Sequence, residues 1–211
     1  DIVYKGEKVV SSDSIIFIEN LNLEAETNYI LKIEITSDSK VFCGDKKFRT
    51  GIFGEFLGKW ISDDRKLEKE EDYYKEKRNT ILRKAFELKE TPKEAFIYIV
   101  GLGYYNLYVN GKKVGNAELN TDWTNYSKGI FYDTYNLQEY LVQGENIVFV
   151  ELGNGWYNPA PLTLFGKYNL RDVLSIGEPK LLADLKIKSE NDLRSRIKEK
   201  FIALSLTVTK L

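Results

Sequence analysis

No histidine occurs among the 211 residues, and the only cysteine is Cys43. The first absence removes the commonest general base and metal ligand. Together the two exclude Cys/His zinc sites and Ser-His-Asp or Cys-His nucleophilic catalysis. A lone thiol also excludes an intramolecular disulfide framework, which permits a cytosolic location. Methionine is missing as well, and the chain opens on Asp1 without a signal peptide. It therefore reads as a fragment whose true start lies upstream. No apolar run approaches the ~20 residues needed to cross a bilayer, so no membrane partner is expected. Lys+Arg (31) and Asp+Glu (32) nearly cancel. Without a basic stripe or an acidic tail, neither nucleic acid nor a solvating segment is indicated.

What the chain does contain favours strands. Hydrophobic residues make up 43%, with 14 Tyr and 11 Phe, enough for a β-rich core. Residues 1–51 read as short strands at 14–19 (SIIFIE), 29–35 (YILKIEI) and 46–50 (KKFRT). Leu23, six residues before the strand-opening Tyr29, matches the spacing of a tyrosine corner. These strands amount to a partial fibronectin type III-like sandwich, with apolar faces left to be covered. Residues 52–80 read as a linker leading into a strand. Their charge-dense part, 65–78, reads as a solvated loop or a short helix, with a reach toward a partner domain as the sharper alternative.

From residue 81 to 188 the β pattern is dense. LRKAFEL (82–88) alternates, and AFIYIVGLG (95–103) is almost continuously apolar. Asn110-Gly111 predicts a type I′ hairpin turn, because both central residues of that turn need φ > 0. Gly144 and Asn146 mark a turn before the core strand IVFVELG. Short strands with turns every eight to twelve residues indicate a sandwich or jelly roll. Residues 189–211 read as an irregular tail, polar and then apolar, able either to pair as a strand or to remain a sticky end. Exposed edges at both ends predict marginal stability or aggregation.

Several of these stretches together resemble a known family. They are LRKAF (82–86), AFIYIVGLG (95–103), NGKKVG (110–115), DWTNY (122–126), YDTY (132–135) and LGNGWY (152–157). They resemble the N-terminal β-sandwich region of bacterial α-L-rhamnosidases. FRTG (48–51) and Trp60-Ile61 resemble the fibronectin-type domain before it. The NGKKVG hairpin is shared with accessory domains of β-galactosidase-like enzymes, whereas LGNGWY with DWTNY upstream is more particular. The resemblance implies an all-β fold, a partial fibronectin III-like sandwich followed by a galactose-binding-like jelly roll. It also implies a parent glycoside hydrolase that removes terminal α-L-rhamnose with inversion, its acid and base carried by an (α/α)6 barrel outside this chain. The partners so implied are that catalytic domain and rhamnose-containing glycans. The family pattern would continue past residue 190 with a strand, an Asp-Gly turn and a Trp-containing strand, and this tail has none of these.

Four residues are candidates for carbohydrate binding. Trp123 and Trp156, the latter with Tyr157 beside it, offer platforms for pyranose C–H groups, with core or domain packing as the plainer alternative. Asn154 and Asn158 offer amides to sugar hydroxyls or to Ca²⁺. Asn110 is explained by its turn. No catalytic residue is assigned. Of the acids near these loops, Asp122 reads as a turn cap, Asp133 as outward-facing on a strand, and Glu151 as unassigned. Gly101 and Gly103 form only a GxG and read as easing a strand bend. Cys43 reads as a half-buried strand residue.

Overall fold

The computed structural model describes residues 2–13, 15–19, 21–63, 69, 78–161, 163–164, 166, 168–189, 200–203 and 207–208. The charge-dense stretch therefore lies almost wholly outside the described residues, as do 190–199 of the tail. The chain divides into two compact units, Asp1–Glu55 and Phe56–Leu211.

The first unit is built on one antiparallel hairpin, β1 (Asn28–Ser37) and β2 (Lys40–Arg49), in register along its whole length. Asp38 and Ser39 make the turn, with φ of 48° and 63°. Asp tolerates the left-handed region, so a two-residue turn forms without glycine. Strand alternation places Tyr29, Leu31, Ile33, Ile35, Phe42 and Phe48 on one face, while Lys32 pairs with Asp45 on the other. Tyr29 stacks on Phe48 at 5.7 Å between ring centroids. Its hydroxyl accepts the Glu24 backbone N–H at 2.9 Å, a bond reaching back along the chain as in a tyrosine corner. Two expectations are corrected. Residues 15–19 are exposed and form no strand, having no ladder partner among the described residues. Cys43 is exposed, on the polar face of a two-stranded sheet.

The second unit is a two-sheet antiparallel sandwich. It uses β3 (Thr80–Leu88), β4 (Glu94–Leu102), β5 (Tyr104–Val109), β6 (Lys112–Lys113), β7 (Asp133–Asn136) and β8 (Gly144–Gly153). A small hairpin follows, β9 (Thr163–Leu164) with β10 (Tyr168–Asn169), then the single turn α1 (Leu170–Val173). The chain ends with β11 (Lys180–Lys188), β12 (Lys200–Ala203) and β13 (Thr207–Val208). One sheet runs β12-β11-β4-β7 and the other β13-β3-β8-β5-β6. The tail expected to be irregular thus adds one strand to each sheet, β12 against β11 and β13 against β3.

Period-two alternation fixes what lies between the sheets. Ile97, Ile99, Leu181 and Leu185 from one sheet meet Leu107, Val109, Val148, Val150 and Leu152 from the other, all buried in one cluster. Each such side chain contributes about 1.5–3 kcal/mol when fully buried. On the other face of the same strands, Tyr98, Val100, Leu102 and Leu182 are buried as well, although that face lies outside the sandwich. The reason is the segment from Phe56 to Ile61. Ile61 forms a two-way backbone bridge with Leu181. Gly58 lies against Leu182, and the ring of Phe56 meets Tyr132, which meets Tyr98. The continuous apolar run of β4 is therefore a strand covered on both faces.

The segment is latched by Asp184, 4% exposed. The Gly58 N–H donates to Oδ1 at 2.7 Å and the Leu57 N–H to Oδ2 at 2.8 Å. At the far end of β5, Asn110 (φ 50°) and Gly111 (φ 79°) form the type I′ turn. The Asn110 side chain ties this turn to the next one. Its Oδ1 accepts the Ile147 N–H and its Nδ2 donates to Tyr140 O and Asn146 Oδ1. Asn146, fully buried, closes the network by bonding Val142 through both its backbone groups.

Candidate functional site

Two loops emerge at the same end of the sandwich. One links β6 to β7 and carries Trp123 and Tyr126. The other follows β8 and carries Asn154, Trp156, Tyr157 and Asn158. Their rings meet pairwise. Trp123 lies 6.4 Å from Trp156 with the planes tilted by 52°, and Tyr126 meets Tyr157 edge-on at 5.5 Å. The tryptophans keep 52% and 45% of their surface in solvent. They are neither core residues nor coplanar, and together form an open aromatic wedge. Burial raises the hydroxyl pKa of Tyr126, reinforced by Tyr104 and Tyr157, and burial alone raises that of Tyr157. Both hydroxyls therefore stay protonated.

Close backbone packing holds the second loop. Gly103, at φ +103°, sits where a Cβ would strike the carbonyl oxygen of Gly153. Gly155, at φ +51°, sits where a Cβ would come within 2.9 Å of the Gly103 carbonyl carbon. These glycines let two stretches of backbone touch, a role different from the strand bend expected of Gly103. The Gly177 N–H donates to Tyr157 O at 2.9 Å, and its bare Cα makes room for the Tyr157 hydroxyl.

The two asparagines behave differently from the tryptophans. Asn158 is 4% exposed and its amide is committed. Its Nδ2 donates to Asn154 Oδ1 at 3.2 Å, and its Oδ1 accepts Arg171 Nη1 at 2.9 Å. Arg171, anchored by the Asn169 cap of α1 and bonded to Pro159 O, buttresses the loop from behind. Asn158 thus faces inward, and Asn154 spends its oxygen on it. A guanidinium beside the Asn158 oxygen also opposes a dication there. Among the described residues no three His, Cys, Asp or Glu side chains gather where a metal could sit. Glu178 Oε2 also stands 3.5 Å from Asn158 Nδ2, so the pair has a cation on one side and a carboxylate on the other.

The nearby acids take structural bonds. Asp133 faces inward, against the outward placement expected, because its partner in the ladder is the core residue Ile99. Its Oδ2 accepts the Tyr105 hydroxyl at 2.6 Å and the Thr121 hydroxyl at 3.4 Å. Burial, then the bond to Asp133, drives the Tyr105 hydroxyl pKa far above its ordinary value, so it remains a donor. Glu151 accepts Asn79 Nδ2 at 2.7 Å. Asp122 is exposed; the side-chain cap in its loop is Asn125, whose Oδ1 accepts the Ser127 N–H and hydroxyl. Sequence reasoning weighed Tyr157 beside Trp156 but passed over Tyr126 and Arg171; the aromatic three residues after Trp123 was the available signal for Tyr126.

The chain matches the family described as Alpha-L-rhamnosidase N-terminal domain over residues 90–200. Among curated proteins it is similar to an α-L-rhamnosidase of Formosa agariphila, 30% identical over 160 residues, which cover 66% of this chain and 17% of that protein. Among solved structures it is similar to the α-L-rhamnosidase of Aspergillus terreus (TM-score 0.67, 21% identity, 85% of this chain and 20% of that one). It is also similar to the α-L-rhamnosidase of Dictyoglomus thermophilum (TM-score 0.64, 25% identity, 92% of this chain and 21% of that one). The chain spans about a fifth of the length of these relatives.

Proposed function

The chain belongs to the α-L-rhamnosidase N-terminal domain family, and on that premise we propose that it is a non-catalytic accessory region of a larger α-L-rhamnosidase. It would pack beside an (α/α)6 catalytic barrel carried elsewhere in the parent chain. The observation that carries this reading is the similarity to rhamnosidases of which the chain spans about a fifth. The acids support it. Inverting hydrolysis needs an acid and a base ~6.5–9.5 Å apart, both free to exchange protons at the sugar. Here Asp133 and Asp184 are bonded to groups of the fold and Glu151 to Asn79. The purified chain is expected to give no turnover of an aryl α-L-rhamnoside under conditions where a full-length rhamnosidase does. Turnover by the chain alone refutes the reading.

A second reading is favoured by the aromatic wedge: the module binds a rhamnose-containing glycan through Trp123 and Trp156. Asn154 keeps its Nδ2 for a sugar hydroxyl, while Asn158 supports the loop. Because the Asn154 and Asn158 side-chain oxygens are already bonded within the fold, this reading takes the binding to be calcium-independent. Titration calorimetry with L-rhamnose is expected to give heat that is unchanged by EDTA and abolished by Trp156→Ala. No heat at millimolar sugar leaves the accessory role alone.

A further inference from the structure

The loop carrying Trp123 begins and ends against one residue, Tyr105. At its start, the Tyr105 N–H donates to Asn120 O at 2.8 Å. Thr121, 3% exposed, accepts the Gly101 N–H at 3.3 Å and donates to Asp133 Oδ2. At its end, Asp133 accepts the Tyr105 hydroxyl, and Tyr135 stands 3.4 Å from the same oxygen. Gly101 makes room for this arrangement, since a Cβ there would lie 2.7 Å from Tyr105 Cδ1. Tyr105 itself is buried between the sheets. Tyr105 thus holds both feet of the loop, the first through its backbone N–H and the second through its hydroxyl, and Thr121 ties the first foot to the second through Asp133. Trp123 is two residues from the first foot, and Trp156 is anchored separately by the glycine contact at Gly103.

We infer that Tyr105, with Asp133 and Thr121, is a positioning group that holds Trp123 against Trp156. The inference rests on the reading of the aromatic wedge as the working surface of the module, but its test does not depend on sugar. Trp60→Phe leaves Trp123 and Trp156 as the only tryptophans, and two indoles this close give an exciton couplet in circular dichroism. In that background, Tyr105→Phe and Thr121→Val are each expected to abolish the couplet while a cooperative urea transition persists. Asn110→Ala, which loosens the opposite end of β5, is expected to leave the couplet intact. A couplet retained in both Tyr105→Phe and Thr121→Val, or lost equally in Asn110→Ala, overturns the inference. If Tyr105→Phe does not fold, Thr121→Val decides alone. Failure of the glycan reading shows separately, as absent heat in a protein whose couplet is normal.

Discussion

Asp184→Ala is expected to cost the sandwich about 3–5 kcal/mol, because it removes two charge-assisted hydrogen bonds worth roughly 1.5–3 kcal/mol each from a part-buried site. The donors belong to Leu57 and Gly58, and the carboxylate is almost fully buried. Such a loss is large against the total of about 5–15 kcal/mol that holds a domain folded. The protein has one escape. The segment can lift off and let water satisfy the two N–H groups. That route uncovers Tyr98 and Leu182, which the segment helps to bury, so lifting also costs. Asp184→Asn separates the terms. Its amide keeps one oxygen acceptor and turns an NH₂ toward the other N–H, so it should recover less than half of the loss. Urea unfolding measures the total. Hydrogen exchange at Leu57 and Gly58 shows whether the loss is local: both amides should exchange at near-loop rates in Asp184→Ala while β4 and β8 stay protected. Slow exchange at both positions in the alanine variant sinks the argument.

This latch was invisible in the sequence, whereas the strands around it were not. Period two in β3 and β8, the unbroken apolar run of β4 and the Asn110-Gly111 turn each carry a local signal strong enough to place an element. Asp184 carries none. In KLLADLKIK it reads as one polar residue in an alternating strand, and only a segment some 126 residues earlier explains its burial. The aromatic end was half legible. Trp123 and Trp156 stand out by size and by the glycines beside them, but nothing in their spacing says that two loops converge. Asp133 shows the limit most clearly. Alternation gives two possible faces for a short strand, and YDTY starts with a tyrosine on either side of the choice. The inward face is selected by a hydroxyl partner on β5, which is long-range information. Asn158 is a similar case, since its neighbour Arg171 comes from a helix of a single turn with no periodicity to announce it. Cross-strand partners and buried polar bonds are where local reasoning stops.

Gly103→Ala is expected to be about as costly, at roughly 3–5 kcal/mol, because two penalties fall on one atom. The backbone at φ +103° is outside the conformations an L side chain readily takes, which costs about 1–3 kcal/mol. The added Cβ would also run into the carbonyl oxygen of Gly153, with that of Asn154 only 3.0 Å away. Both obstacles are backbone, so no side chain can rotate aside, and β8 or the loop after it has to move. Gly111→Ala is the control that isolates the first penalty. It has a positive φ of 79° but open space around it, so it should cost only about 1–2 kcal/mol. The difference between the two variants in urea midpoint then reports the collision. If Gly103→Ala matches Gly111→Ala, the contact between the β4–β5 junction and the end of β8 is not tight. If it exceeds it as expected, the displaced segment is the one carrying Trp156, and the Trp123–Trp156 couplet should weaken in the fraction that remains folded. The same close approach that stabilises the sandwich end would then be what presents the two indoles to solvent.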